Sequence, residues 1–116
     1  MDYRTILYQV KDRILTLTLN RPEKLNSFTV EMSYELINAY QRASEDDSVS
    51  VVIVTGAGRA FCAGMDLSID GNVFGLNEEL KPTIKDMRER SEDDDIISGV
   101  RDAGGRVVLA MYECKK

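Results

Sequence analysis

The chain has 116 residues, room for one domain, and its 43% hydrophobic and 30% charged content describes a soluble globular protein rather than a disordered one. A net charge of −5 without any basic block argues against nucleic acid as a partner, and no apolar run approaches the roughly 18 residues of a membrane span. There is no histidine, which excludes Ser-His and Cys-His nucleophile pairs and most zinc sites built within one chain, so no metal is expected.

The two cysteines, Cys62 and Cys114, form no dense framework, and Met1-Asp2-Tyr3-Arg4 lacks the apolar core of a signal peptide. A reduced, cytoplasmic setting is the expectation. In chain order, Thr5–Val10 and Ile14–Leu19 read as strands joined by the polar turn Lys11-Asp12-Arg13, an antiparallel hairpin. The alternation in Ile14-Leu15-Thr16-Leu17-Thr18-Leu19 predicts one buried face. Asn20-Arg21-Pro22-Glu23-Lys24 breaks the pattern, since Pro22 holds Arg21 in extended or turn geometry.

A helix is expected from about Thr29 to Ser44, with Thr29 as N-cap and Met32, Leu36, Ile37, Tyr40 and Ala43 on one face. After the polar exit Glu45-Asp46-Asp47-Ser48, the β-branched run within Val49–Thr55 reads as a strand covered on both faces, which wants parallel neighbours. Ser68–Leu76 reads as a loop. Thr83–Arg90 is expected to be a short helix. Glu92–Asp95 is an acidic surface run or a first helical turn. A long helix containing Gly104-Gly105 is expected from about Ile96 to Cys114. Only the hairpin is available to flank the Val49–Thr55 strand, which points to a chain that is incomplete relative to its folding unit, or completed by partners.

The strongest site candidate is the loop Thr55-Gly56-Ala57-Gly58-Arg59-Ala60-Phe61-Cys62-Ala63-Gly64-Met65-Asp66-Leu67. Ligands of open α/β sheets sit at the C-terminal ends of strands, and a loop of small residues offers backbone N–H groups rather than side-chain chemistry. Gly56-x-Gly58 suggests a dinucleotide turn, but the third small residue that fingerprint needs is Phe61. Cys62 beside Phe61, with no histidine in the chain, reads as a packed side chain rather than a nucleophile. The acidic run matches no calcium loop. Asp66 is a candidate catalytic acid or, more simply, a cap accepting a backbone N–H. The Met65 N–H is the candidate donor to a ligand oxygen, provided the following segment starts a helix. On spacing alone, a connection without function is an equal reading.

Three segments resemble the enoyl-CoA hydratase/isomerase, or crotonase, superfamily. They are Leu17–Pro22 with Lys24-Leu25-Asn26-Ser27 and the helix beginning near Thr29; Val51–Gly58 with Arg59–Leu67; and, more weakly, Arg101–Cys114. The resemblance implies an α/β fold of the ClpP/crotonase type, a spiral of stacked ββα units, with residues 1–116 as the N-terminal portion of a single domain. It implies an acyl-CoA thioester substrate, no cofactor beyond the coenzyme A moiety, and assembly into homo-oligomeric trimers or hexamers. Carried over by position, Met65 donates one of two backbone N–H groups of an oxyanion hole. Ala63 offers its carbonyl to the adenine amino group, Leu67 lies against the nucleotide, Lys24 and Leu25 fall in the loop that lines the coenzyme A channel, and Gly64, Met65 and Asp66 complete the coenzyme A-binding set. Some relatives carry the basic residue one position earlier, where this chain has Glu23. The second donor and the two family glutamates correspond to positions beyond Lys116, and Glu78, Glu79, Glu89 and Glu92 do not match them. The expected function is enoyl-CoA hydration or double-bond isomerisation by the full-length protein, the alternative being a short non-catalytic paralogue that serves as a binding or assembly module.

Overall fold

The computed structural model describes residues 2–69, 71–76, 83–90, 92–94 and 101–116. Strands β1 (Ile6–Lys11) and β2 (Ile14–Leu19) form the expected antiparallel hairpin, with Lys11 opposite Ile14. Asp12 and Arg13 between them both have left-handed φ, 52° and 67°, the backbone that lets a two-residue turn follow the twist of its strands.

Strand β3 (Val51–Gly56) pairs in parallel with β2, Leu17 opposite Val54, giving the sheet order β1-β2-β3. Helix α1 (Val30–Glu45) makes the crossover between β2 and β3. It starts where the sequence places it: the Thr29 hydroxyl accepts from the Met32 N–H at 3.1 Å.

The core lies between α1 and one sheet face. Leu15, Leu17 and Leu19 meet Met32, Leu36, Ala39, Tyr40 and Ala43, all buried, and Ile37 sits half-buried at the margin. The buried carboxylate of Glu35 ties the start of β1 to α1. It accepts from the N–H groups of Arg4 and Thr5 at 2.6 and 2.7 Å and from the Thr5 hydroxyl. Three donors satisfy a charge that would otherwise be costly to bury.

The expectation that β3 is covered on both faces does not hold. Val51 and Ile53 are 48% and 46% exposed, because they point away from α1 and no described element packs on that side. Leu7 and Ile14 continue this exposed apolar face onto the hairpin.

Beyond β3, a short helix α2 (Ile84–Glu89) is capped by reciprocal hydrogen bonds between Thr83 and Asp86. Helix α3 (Ala103–Glu113) packs on α1 through Val107. The expectation of one long helix from about Ile96 does not hold: Arg101 and Asp102 are not helical, and Asp102, in extended backbone, starts the helix only at Ala103. Asp102 is the N-cap, accepting from the Gly105 N–H at 2.7 Å. Gly104 and Gly105 therefore occupy the first turn, where the helical cost of glycine weighs less than in an interior.

Leu17 is fully buried at the centre of this core. Leu17→Ala should cost about 2–5 kcal/mol of stability, measured by urea unfolding, whereas Leu7→Ala on the exposed face should stay within about 0.5 kcal/mol.

Candidate functional site

Two loops meet where β2 and β3 end. The first runs from Arg21 to Phe28. Pro22 opens a single 3₁₀ turn, Pro22–Lys24, after which Leu25 and Asn26 both take left-handed φ, 53° and 55°. Two successive non-glycine residues in that region need outside support. The Asn26 side chain, with no solvent exposure, supplies it. Its Oδ1 accepts from the Arg21 N–H at 2.8 Å, and its Nδ2 donates to the carbonyls of Ala57 and Ala60 at 2.8 and 2.9 Å.

The second loop follows β3. Gly58, at φ 76°, makes its turn. Gly56 serves a different purpose: a Cβ there would stand within 3.0 Å of the Ala60 and Phe61 carbonyl oxygens and of Asn26 Nδ2. The backbone thus folds back on itself at a distance that only glycine permits.

The loops then run side by side. Ala63 N–H donates to Leu25 O at 3.0 Å, Phe28 N–H to Gly64 O at 2.7 Å, and Asp66 N–H to Phe28 O at 2.8 Å. The last two bonds are those of a parallel bridge between Phe28 and Met65. In such a bridge the central residue of one strand bonds to the two neighbours of its opposite number. Met65 therefore turns its own N–H away from Phe28, and this N–H has no hydrogen-bond partner among the described residues. Gly64, at φ 108° with open space around its Cα, sets this course by conformation rather than by close contact.

The Asp66 side chain fastens the end of the bridge. One carboxylate oxygen accepts from the Ser68 N–H at 3.0 Å and the Ser68 hydroxyl at 2.5 Å. The other pairs with the Arg21 guanidinium at 3.0 Å, which also donates to the Ser27 carbonyl at 2.6 Å. The Ser68 hydroxyl foremost, then Arg21 and the Ser68 N–H, hold the carboxyl down to about 2. Asp66 is thus ionised near neutral pH and caps a turn, which answers the choice between acid and cap in favour of the cap.

Against known sequences, residues 9–108 match the family described as "Enoyl-CoA hydratase/isomerase". The chain belongs to this family. It is 50% identical over 68 residues to 1,2-epoxyphenylacetyl-CoA isomerase of Escherichia coli, covering 59% of this chain and 26% of that protein. It is 43% identical over 83 residues to a probable enoyl-CoA hydratase of Mycobacterium tuberculosis, covering 72% and 32%. Among solved structures, an enoyl-CoA hydratase from Mycobacterium smegmatis superposes with a TM-score of 0.54 at 46% identity over 56% of this chain and 30% of that one. The α/β architecture is the crotonase-like one, of which this chain spans between a quarter and a third of the relatives' length.

Of the family positions expected to serve the site, Leu25, Ala63, Gly64 and Met65 come together along the bridge. Lys24 stands exposed on the adjacent turn, and Leu67 is 72% exposed just past Asp66. Cys62 is partly buried against the core, as a packed thiol should be. No cluster of three metal-ligating side chains occurs among the described residues, and no described helix is long and apolar enough to cross a membrane. Three contributors escaped the sequence reading: Asn26 as the clamp, Arg21 as the partner of Asp66, and Gly56 as a contact glycine. An asparagine after a proline turn, in a segment with no hydrophobic pattern, is the signal that points to the first.

Gly56→Ala should cost about 1–3 kcal/mol or more through the carbonyl clashes, read as a lowered urea midpoint. The depressed Asp66 carboxyl stabilises the fold above the ordinary carboxylate pKa near 4, and that contribution is lost as pH falls from about 4 towards 2. Urea midpoints measured between pH 5 and pH 2 should therefore fall more steeply for the native protein than for Asp66→Asn.

Proposed function

We propose that this chain forms one side of an acyl-CoA site in an enzyme of enoyl-CoA hydration or double-bond isomerisation. The observation that carries the reading is the Met65 N–H, turned away from Phe28 in a bridge whose own bonds are made and without a partner among the described residues. A donor fixed in this way needs no reorganisation when negative charge develops on a thioester oxygen, and such a donor is worth roughly 3–4 kcal/mol in a transition state. Support also comes from the family match and from relatives named as hydratases and isomerases. One of these is a trans-2-decenoyl-[acyl-carrier-protein] isomerase of Streptococcus mutans.

In this reading the thioester oxygen accepts from Met65 as the carbonyl becomes an enolate. Water adds across the 2,3 double bond in the hydratase case. In the isomerase case a proton leaves one carbon and returns to another. Ala63 presents its carbonyl to the adenine amino group, Leu67 lies against the nucleotide, Gly64 and Asp66 complete the coenzyme A-binding set, and Lys24 and Leu25 border the coenzyme A channel. The coenzyme A moiety of the substrate is the only cofactor. The second oxyanion donor and the acid/base carboxylates come from outside residues 1–116, within a homotrimer or hexamer of the full-length protein.

Full-length protein should bind crotonyl-CoA by calorimetry and hydrate or isomerise a 2-enoyl- or 3-enoyl-CoA; absence of both binding and turnover would sink the proposal. Met65→Pro, which deletes the N–H, should lower kcat by 100-fold or more. Met65→Ala, which keeps the N–H, should lose far less, and equal losses in the two variants would count against the backbone role.

A further inference from the structure

The Arg21 side chain reaches both chains of the Phe28–Met65 bridge. One guanidinium nitrogen donates to the Ser27 carbonyl at 2.6 Å and to the Ser27 hydroxyl at 3.2 Å, and another donates to an Asp66 carboxylate oxygen at 3.0 Å. Ser27 directly precedes Phe28, and Asp66 directly follows Met65. One planar group therefore ties the two chains together at the bridge itself, which the fixed fork of guanidinium donors makes possible. The backbone of Arg21 is held as firmly. Its N–H donates to Asn26 Oδ1 at 2.8 Å, and its carbonyl accepts from the Lys24 and Asn26 N–H groups, both at 2.9 Å.

The same contact settles a charge next to the donor. The turn after Met65 uses Asp66 as an acceptor, because the Ser68 N–H and hydroxyl both donate to its other oxygen. A carboxylate there, left alone, sets a negative charge one residue from the N–H that is to receive an oxyanion. The Asp66 side chain is 6% exposed and that of Arg21 18%, so water screens little of this charge and the guanidinium is its counter-charge.

We propose that Arg21 is a positioning residue for the reaction: by spanning the bridge and cancelling the charge of Asp66, it keeps the Met65 N–H aimed at the thioester oxygen and attractive to an enolate. This rests on the Met65 reading above and adds a side chain to a device otherwise made of backbone. Arg21 acts through Ser27 and Asp66 and touches no reacting atom.

The test measures kcat and KM of the full-length protein with a 2-enoyl- or 3-enoyl-CoA that the native form turns over, with urea midpoints alongside. Arg21→Gln leaves Asp66 uncompensated and should lower kcat about 10-fold or more while KM moves less than about 3-fold. The double variant Arg21→Gln/Asp66→Asn has lost the same ion pair but carries no charge there, and it should regain at least about 3-fold in kcat over Arg21→Gln. Arg21→Lys, which keeps a cation beside Asp66, should lose less than about 3-fold. A kcat of Arg21→Gln within about 2-fold of native, or a change confined to KM, overturns the proposal and leaves the Met65 reading intact. A double variant no faster than Arg21→Gln reduces Arg21 to a structural tie and also overturns it. Should Arg21→Gln fail to fold, Arg21→Lys decides: a loss of about 10-fold in kcat at a native urea midpoint overturns the proposal, and retention of kcat supports it. Equal losses in Met65→Pro and Met65→Ala, or no turnover of any enoyl-CoA by the native protein, overturn both readings.

Discussion

The Asn26 carboxamide holds the ends of β2 and β3 in one structure. It accepts from the chain leaving β2 and donates twice to the chain leaving β3, all within 2.9 Å and without solvent. Each such bond adds on the order of 1 kcal/mol net, but losing the side chain would also strand buried carbonyls and an N–H. The two left-handed residues, the fold-back at Gly56 and the course of Ala63 to Asp66 all rely on this clamp. A neutral amide suits the place, because it alone offers an acceptor and two donors at fixed angles. Aspartate has the same outline but would set a carboxylate against two carbonyl oxygens.

The scaffold beneath the clamp is asymmetric. On one side of the sheet, the leucines of β2 are packed by α1 to near-zero exposure. On the other, Leu7, Ile14, Val51 and Ile53 lie open. The packed side anchors the strand ends that carry the loops. Charge is handled as economically as burial: Glu35 is consumed by the start of β1, and Asp66 by Arg21 and Ser68. Both carboxylates are engaged by donors of the fold itself, so the chemistry this part of the fold offers comes from its backbone.

Elements set by local rules were legible in the sequence. Threonine at position 29 ahead of an apolar stripe marked the start of α1, and the Leu-Thr alternation marked the buried face of β2. What escaped has a common cause: it depends on which groups meet across the fold. The β-branched run of β3 looks alike whether one face or two are covered, and only the neighbouring elements decide. Gly56 and Gly58 look equivalent in sequence, yet one is required by proximity and the other by φ. Arg21 and Asp66 are 45 positions apart, and nothing local links them. Met65 was reached first as a backbone donor of the small-residue loop and then through a family resemblance. The geometry adds why its N–H has no partner among the described residues, namely that Phe28 bonds to its neighbours instead.

The bridge at Phe28 has an evolutionary consequence. Along an extended segment, successive amides face opposite sides, so what a loop offers a ligand depends on whether its residue count is even or odd. Substituting the side chain at position 65 leaves that orientation alone. Inserting or deleting a single residue between the clamp and the bridge reverses it, presenting a carbonyl oxygen where an N–H had stood and turning an attractive pole into a repulsive one. Drift in such a loop is therefore tolerant of identity and intolerant of length, the opposite of what is usual for surface connections.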